Sequence, residues 1–302
     1  MKLELTNIEK SFGEKEVLKG ISFFAVSGEA FGLLGRNGAG KTTTIRILMD
    51  VFPAEKGNVL IDGAPINYNE IKIGYLPEER GLYPKKKIID QLVYFAALHG
   101  MKSKEAVKAA DYWLERLDMT QYRNKRLDTL SKGNQQKIQL ITALAHNPEI
   151  VILDEPFSGL DPVNAMLLKD VVKEEIAKGK IVLFSSHQMS YIEEFCSNIA
   201  IINQGEIVLK GNLHDIKHNY TRDKLILRSD REYEILSDLK DISSRTETGE
   251  VLIQLDSPDR KREMMQYLTE KYDIDELKVF EPSLNDIFVE YTGGEEKGGE
   301  KE

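Results

Sequence analysis

Residues 35–42 read GRNGAGKT, a match at every fixed position to the phosphate-cradling pattern G-x-x-x-x-G-K-[ST]. Such a loop works in one setting only, after a strand and before a helix whose positive end faces the phosphates. The flanks supply both. Residues 31–34 (FGLL) are an apolar, strand-like run, and residues 42–49 place Ile45, Leu48 and Met49 at helical spacing. Gly35, Gly38 and Gly40 let the backbone curl with its N–H groups turned inward. Lys41 then reaches toward β- and γ-phosphates, and the Thr42 hydroxyl toward a Mg²⁺ shell. The octet predicts an α/β fold that binds a nucleoside triphosphate.

At 302 residues the chain has room for one sizeable α/β core and a smaller second domain. A net charge of −9 argues against a general nucleic-acid surface. No apolar run approaches the ~18–20 residues needed to cross a bilayer, and the N-terminal MKLELTNIEK lacks the apolar stretch of a secretory signal. The single cysteine, Cys196, excludes an internal disulfide and fits a reducing cytosol. It follows an aromatic in a segment that reads as helical, so it is expected to be core filler. There is no Cys/His cluster for zinc, and the histidines other than His187 (His99, His146, His214, His218) read as surface or helix-end residues. A cytosolic chain is expected, with any membrane role coming through a partner.

Short strands are expected at 3–5 and 17–24 with Phe12 between them, then at 59–61 and 73–76. From residue 88 to about 128 the pattern turns helical: Ile89, Leu92, Val93 and Ala96 share one face, and Val107, Ala110, Leu114 and Leu117 another. This reads as a helical insert, about 85–128. Unbroken apolar runs at 150–153 and 181–184 are the mark of strands buried on both sheet faces. Residues 197–202 continue the sheet, and Gly205 turns a hairpin into 207–209. After about residue 221 strands at 225–227 and 251–255 and helices at 233–239, 262–272 and 284–291 suggest a small α+β domain, 222–292. The final GGEEKGGEKE (293–302) reads as a disordered tail.

Further motifs follow the loop. IVILDEP puts Asp154 and Glu155 at the end of a buried strand, where one carboxylate can hold Mg²⁺ through water and the next can polarise an attacking water. LSKGNQQ (130–136) opens a helix with an apolar face of Ile138, Ile141 and Leu144, and Ser131 suits its N-cap. SGLD (158–161) and SSH (185–187) come after. Phosphate loop, signature, acidic strand, Asp loop and His switch in this order resemble the ATP-binding cassette (ABC) ATPases over roughly residues 1–221.

The resemblance implies a phosphate-loop core with an antiparallel β subdomain and an inserted helical subdomain. It implies that Phe12 stacks on adenine, and that Gly35, Arg36, Asn37, Gly38, Ala39, Gly40, Lys41, Thr42 and Thr43 cradle the phosphates of ATP. Thr42, Asp154 and Glu78 would serve Mg²⁺, Glu155 would be the general base, and His187 would contact the γ-phosphate. Ser131 and Gly133 would reach the nucleotide of a second cassette, and Asp161 would connect the two sites. The implied partners are a second cassette, from a copy or a paralogue, and an integral membrane permease. That places the chain at the cytoplasmic face of the membrane.

Two positions depart from the family pattern. Lys132 replaces the first glycine of the signature, and Glu78 stands where glutamine is usual. GYLPEERGLYP (74–84) and EPSLNDIFVEYTG (281–293) resemble ATPase subunits of bacterial sodium- and drug-efflux exporters, many of which carry a small C-terminal domain. That domain shows no ligand constellation; steadying a cassette dimer is the expected role and sensing a small molecule the competing one. A soluble ABC ATPase acting on ribosomes or DNA is the alternative function. A single cassette in one chain and the lack of a heptad run speak against it.

Overall fold

The computed structural model describes residues 1–79, 81–186, 188–220, 223–246 and 250–293. The chain divides into two compact units, Met1–Leu213 together with the chain from Phe288 onward, and His214–Ile287. In order, the elements up to the second unit are β1 (Lys2–Phe12), β2 (Lys15–Val26), β3 (Ala30–Leu34), α1 (Lys41–Leu48), β4 (Lys56–Ile61), β5 (Ala64–Pro65), β6 (Ile73–Leu76), α2 (Ile88–Leu98), α3 (Ser103–Arg116), α4 (Lys132–Leu144), β7 (Ile150–Asp154), α5 (Pro162–Ala177), β8 (Ile181–Ser185), α6 (Met189–Phe195), β9 (Cys196–Asn203), β10 (Glu206–Asn212) and α7 (Leu213–Asn219).

A six-stranded sheet runs β10-β9-β3-β8-β7-β6. It is parallel from β9 to β6 and antiparallel only at β10. Every residue of β3, β7 and β8 is buried, which explains why these strands read as unbroken apolar runs. A second, antiparallel sheet runs β2-β1-β4-β5. Leu3, Leu5, Ile8, Leu18 and Ile21 from it join Leu33, Ile45, Ile152 and Leu183 in one core. The helices α2 and α3 form the insert. Ile88, Ile89, Leu92 and Ala96 of one and Ala106, Ala110, Trp113 and Leu114 of the other are buried, while Val93 and Val107 are half-buried at the edges of their faces.

The second unit holds β11 (Lys224–Arg228), α8 (Glu232–Asp238), β12 (Ser243–Arg245), β13 (Val251–Gln254), α9 (Lys261–Lys271), β14 (Glu276–Val279) and the start of α10 (Leu284–Thr292). Its antiparallel sheet, β12-β13-β11-β14, packs Leu225, Leu227, Val251 and Ile253 against Ile235, Leu268 and Tyr272. The expected core with its helical insert and small α+β domain is thus present. The edge strands β12 (SSR) and β14 (ELKV) escaped the sequence reading because polar residues interrupt them.

One expectation needs correction, and one helix-end residue lies deeper than expected. Cys196 opens β9 instead of lying in a helix, though it is buried as core filler and burial pushes its thiol pKa well up. His146 follows the end of α4 but is buried, stacked on His99 with ring centroids 3.8 Å apart. The expected tail lies almost wholly outside the described residues. Among the described residues no helix is long and apolar enough to cross a membrane.

Candidate functional site

The octet lies between the end of β3 and the start of α1. Gly40 has φ +119°, and a Cβ there would meet Leu18 Cδ2 at 2.6 Å. Gly35 is required for a different reason, since its Cβ would meet the Ile202 carbonyl oxygen at 2.5 Å. No side chain caps α1, so its first-turn N–H groups remain available to an anion. Lys41 Nζ donates to the carbonyls of Gly35 (2.5 Å) and Arg36 (3.2 Å), and burial lowers its pKa.

A cavity of about 610 Å³ opens over this loop. Gly35, Arg36, Asn37, Gly38, Gly40, Lys41, Thr42 and Thr43 line it together with Glu78, Asp154 and Glu155. Asp154 closes β7 and is buried; desolvation raises its pKa, and the charges of Glu78 and Glu155 push the same way. Tyr75 beside it is pushed up to about 12, again chiefly by burial. Glu155 is 7% exposed and holds a left-handed φ of +50°, uncommon for a residue with a side chain. Its N–H donates to the Ser185 carbonyl at 2.8 Å, and the Ser186 hydroxyl donates to its Oε2 at 2.9 Å.

Not every expected residue lines the cavity. Ala39 lies beneath the loop, where its carbonyl accepts from Gly205 N–H. Phe12 is half-exposed, edge-on against Phe52 at 5.5 Å with Lys10 Nζ 5.5 Å from its ring. Ser131 caps α4 by accepting from Asn134 N–H, and Asp161 caps α5 by accepting from Asn164 N–H at 3.0 Å. These two caps are neighbours, because a Cβ on Gly133 would lie 3.4 Å from Leu160 and 3.6 Å from Asn164. His187 lies outside the described residues.

Sequence reasoning passed over Lys15, Val17 and Phe288, which also line the cavity. It passed over two buried amides of α4 as well. Gln136 Nε2 donates to the Pro156 carbonyl at 3.2 Å, and Gln139 Nε2 to those of Pro77 and Glu79, both at 3.1 Å. The signal was present: glutamines three apart beside the apolar Ile138, Leu140 and Ile141 share a buried stretch of helix and need partners there.

Residues 18–158 match the ABC transporter family. An uncharacterized ABC transporter ATP-binding protein of Bacillus subtilis, YhaQ, is 45% identical over 293 residues, covering 96% of this chain and 98% of the relative. The chain belongs to the ABC transporter ATP-binding proteins. The linearmycin resistance ATP-binding protein LnrL of Bacillus subtilis is 36% identical over 228 residues, covering 74% of this chain and 73% of that one. A solved ATP-binding subunit of an ABC transporter superposes with a TM-score of 0.66 at 28% identity, over 73% of this chain and 93% of that one. Residues 211–292 match the C-terminal domain of DrrA1-3-like ATP-binding proteins.

The protein is therefore an ATP-binding cassette ATPase, and its phosphate-loop domain implies ATP and Mg²⁺. The donors present fit that ion, with a threonine hydroxyl and carboxylates as hard oxygen ligands. Among the described residues no three His, Cys, Asp or Glu side chains form a metal cage.

Proposed function

We propose that this ABC ATPase is the motor of an exporter, hydrolysing ATP between two cassettes to drive a separate membrane-spanning permease. The observation that carries the reading is a division of labour within one chain. The loop, Lys41 and three carboxylates share a cavity, whereas Ser131, Gly133 and Asp161 sit together outside it. Exposed caps of this kind are available to a nucleotide held by another cassette.

In this reading Lys41 neutralises β- and γ-phosphate charge, and the N–H groups of the cavity-lining loop residues cradle it, that of Ala39 being bonded to the Arg36 carbonyl instead. Thr42 and Asp154 would hold Mg²⁺, with Glu78 as a further oxygen ligand; the ion supplies charge neutralisation at the phosphates. Glu155 takes the proton of the attacking water, oriented by Ser186, and His187 completes the γ-phosphate contacts. Phe12 meets adenine once nucleotide is bound. Similarity to LnrL, a linearmycin resistance protein, and to Nod factor export ATP-binding proteins supports an exporter, and the match of residues 211–292 to the DrrA1-3-like C-terminal domain fits the accessory domain expected of that subgroup. The cassette would work at the cytoplasmic membrane face, held there by its permease.

The test is purification of the tagged full chain from its native membranes in detergent. A stoichiometric multi-span protein is the expected companion. A chain that comes away alone and hydrolyses ATP unaided would favour a soluble ATPase with a non-transport partner.

A further inference from the structure

Most of the cavity wall is built for charge. Lys41 feels Asp154, Glu155 and Glu78 as its charged neighbours, so the γ-phosphate and Mg²⁺ belong among these groups. Val17, an apolar member of the lining, lies beside the loop: its carbonyl is 3.3 Å from a Cβ built on Gly40 and 2.5 Å from one on Gly205. Phe288, from the far end of the sequence, also lines this cavity. It is half-buried and, among the described residues, the only aromatic that does so.

The anchoring of Phe288 is visible. Asn203 Nδ2 donates to the Tyr291 carbonyl, tying the last turn of α10 to the strand end beside Gly205. Gly205 in turn bonds Ala39 of the phosphate loop. Phe288 and Tyr291 are three residues apart and so lie on one side of α10. The helix start is set by a reciprocal cap, in which Ser283 donates to Asp286 Oδ2 through its N–H (2.8 Å) and hydroxyl (2.7 Å) and accepts from Asp286 N–H (3.2 Å).

We propose that Phe288 is a nucleoside-contacting residue whose ring packs against the adenine–ribose end of bound ATP. A phosphate or a hydrated cation gains nothing from a neutral ring, whereas a purine face does. Phe12, the aromatic expected to stack, faces Phe52 outside the lining, which leaves room for a second aromatic wall at the base. The inference rests on the ATP reading of the phosphate loop, and it gives the PSLNDIF stretch of the sequence a chemical role: its terminal phenylalanine belongs to the nucleotide site.

The test compares Mg·ATP with Mg·tripolyphosphate, which has the phosphates and no nucleoside, by titration calorimetry on the full chain. Phe288→Ala should weaken Mg·ATP on the order of tenfold and leave tripolyphosphate affinity as in the wild type. Phe288→Tyr, which keeps the ring, should restore ATP affinity. Unchanged ATP affinity in Phe288→Ala overturns the proposal. So does a parallel loss of both ligands, which would mean that the helix props the loop instead. Failure of the underlying reading looks different, because the wild type would then bind neither ligand and Lys41→Ala would change nothing.

Discussion

The Ser186 hydroxyl donates to Glu155 Oε2 across 2.9 Å, and both side chains are buried although 31 positions separate them. The bond leaves one lone pair direction on the carboxylate committed and holds it still beside the cavity. With the backbone of Glu155 held at φ +50° by the Ser185 carbonyl, the carboxylate is oriented from both sides.

Glu155→Gln should slow ATP turnover on the order of a hundredfold or more, the usual scale for a lost general base, while ATP still binds. Ser186→Ala removes that orienting bond, together with the one its Oγ accepts from Gln188 N–H (3.1 Å), so a smaller fall in kcat with an unchanged KM is expected. Steady-state kinetics on both variants separates the roles. Near-wild-type turnover in Glu155→Gln would remove Glu155 from its assigned place.

Glu78 adds a negative charge where the family pattern has a neutral amide. Under the proposed reading, that charge would repel the triphosphate without Mg²⁺ and would become a ligand once the ion is bound. Glu78→Gln should therefore raise the affinity for ATP in EDTA and narrow the ratio between affinities with and without Mg²⁺. A ratio identical to wild type would show that Glu78 does not face the metal.

Gln139 links the signature helix to the carbonyls on either side of Glu78. Gln139→Leu leaves Pro77 and Glu79 without that donor and should cost about 1–3 kcal/mol, a fall of several degrees in Tm. Thermal unfolding measures it. Because the same bonds position Glu78, the Mg²⁺ dependence of hydrolysis should shift as well.

His146 gives the fold an acid sensitivity. Burial lowers its pKa from the usual 6.5 to about 4, and its Nε2 lies 3.3 Å from the Ile73 carbonyl, to which the neutral ring donates. The folded value lies below the unfolded one, so the unfolded chain takes up the proton first. Stability is then lost as pH falls from 6.5 toward 4, by about 3 kcal/mol in all. In urea titrations at pH 7 and pH 5, His146→Gln should shrink the difference in unfolding free energy by about 2 kcal/mol. An unchanged difference would place the sensitivity elsewhere.

The helical register of α2 and α3 and the buried runs of β7 and β8 were legible because periodicity reports which faces leave water. The same logic missed β14, whose Glu276 and Lys278 make an edge strand look like a loop. It also placed Cys196 in a helix, one residue past the point where α6 passes directly into β9.

For the site, the octet, the acidic pair and the signature needed nothing beyond contiguous residues. A phosphate loop is a local object: glycines, a strand before and a helix after suffice to make its curl, and sequence alone determined that this chain handles a triphosphate. What only the tertiary structure decided is who joins it. Ser186 reaches Glu155 from just past the end of the neighbouring strand, Gln139 reaches the Glu78 segment across 60 residues, and Phe288 arrives from the last described helix. A burial pattern states that a side chain leaves water but not which distant group it meets; that depends on how strands order themselves within the sheet and where the closing helix comes to rest.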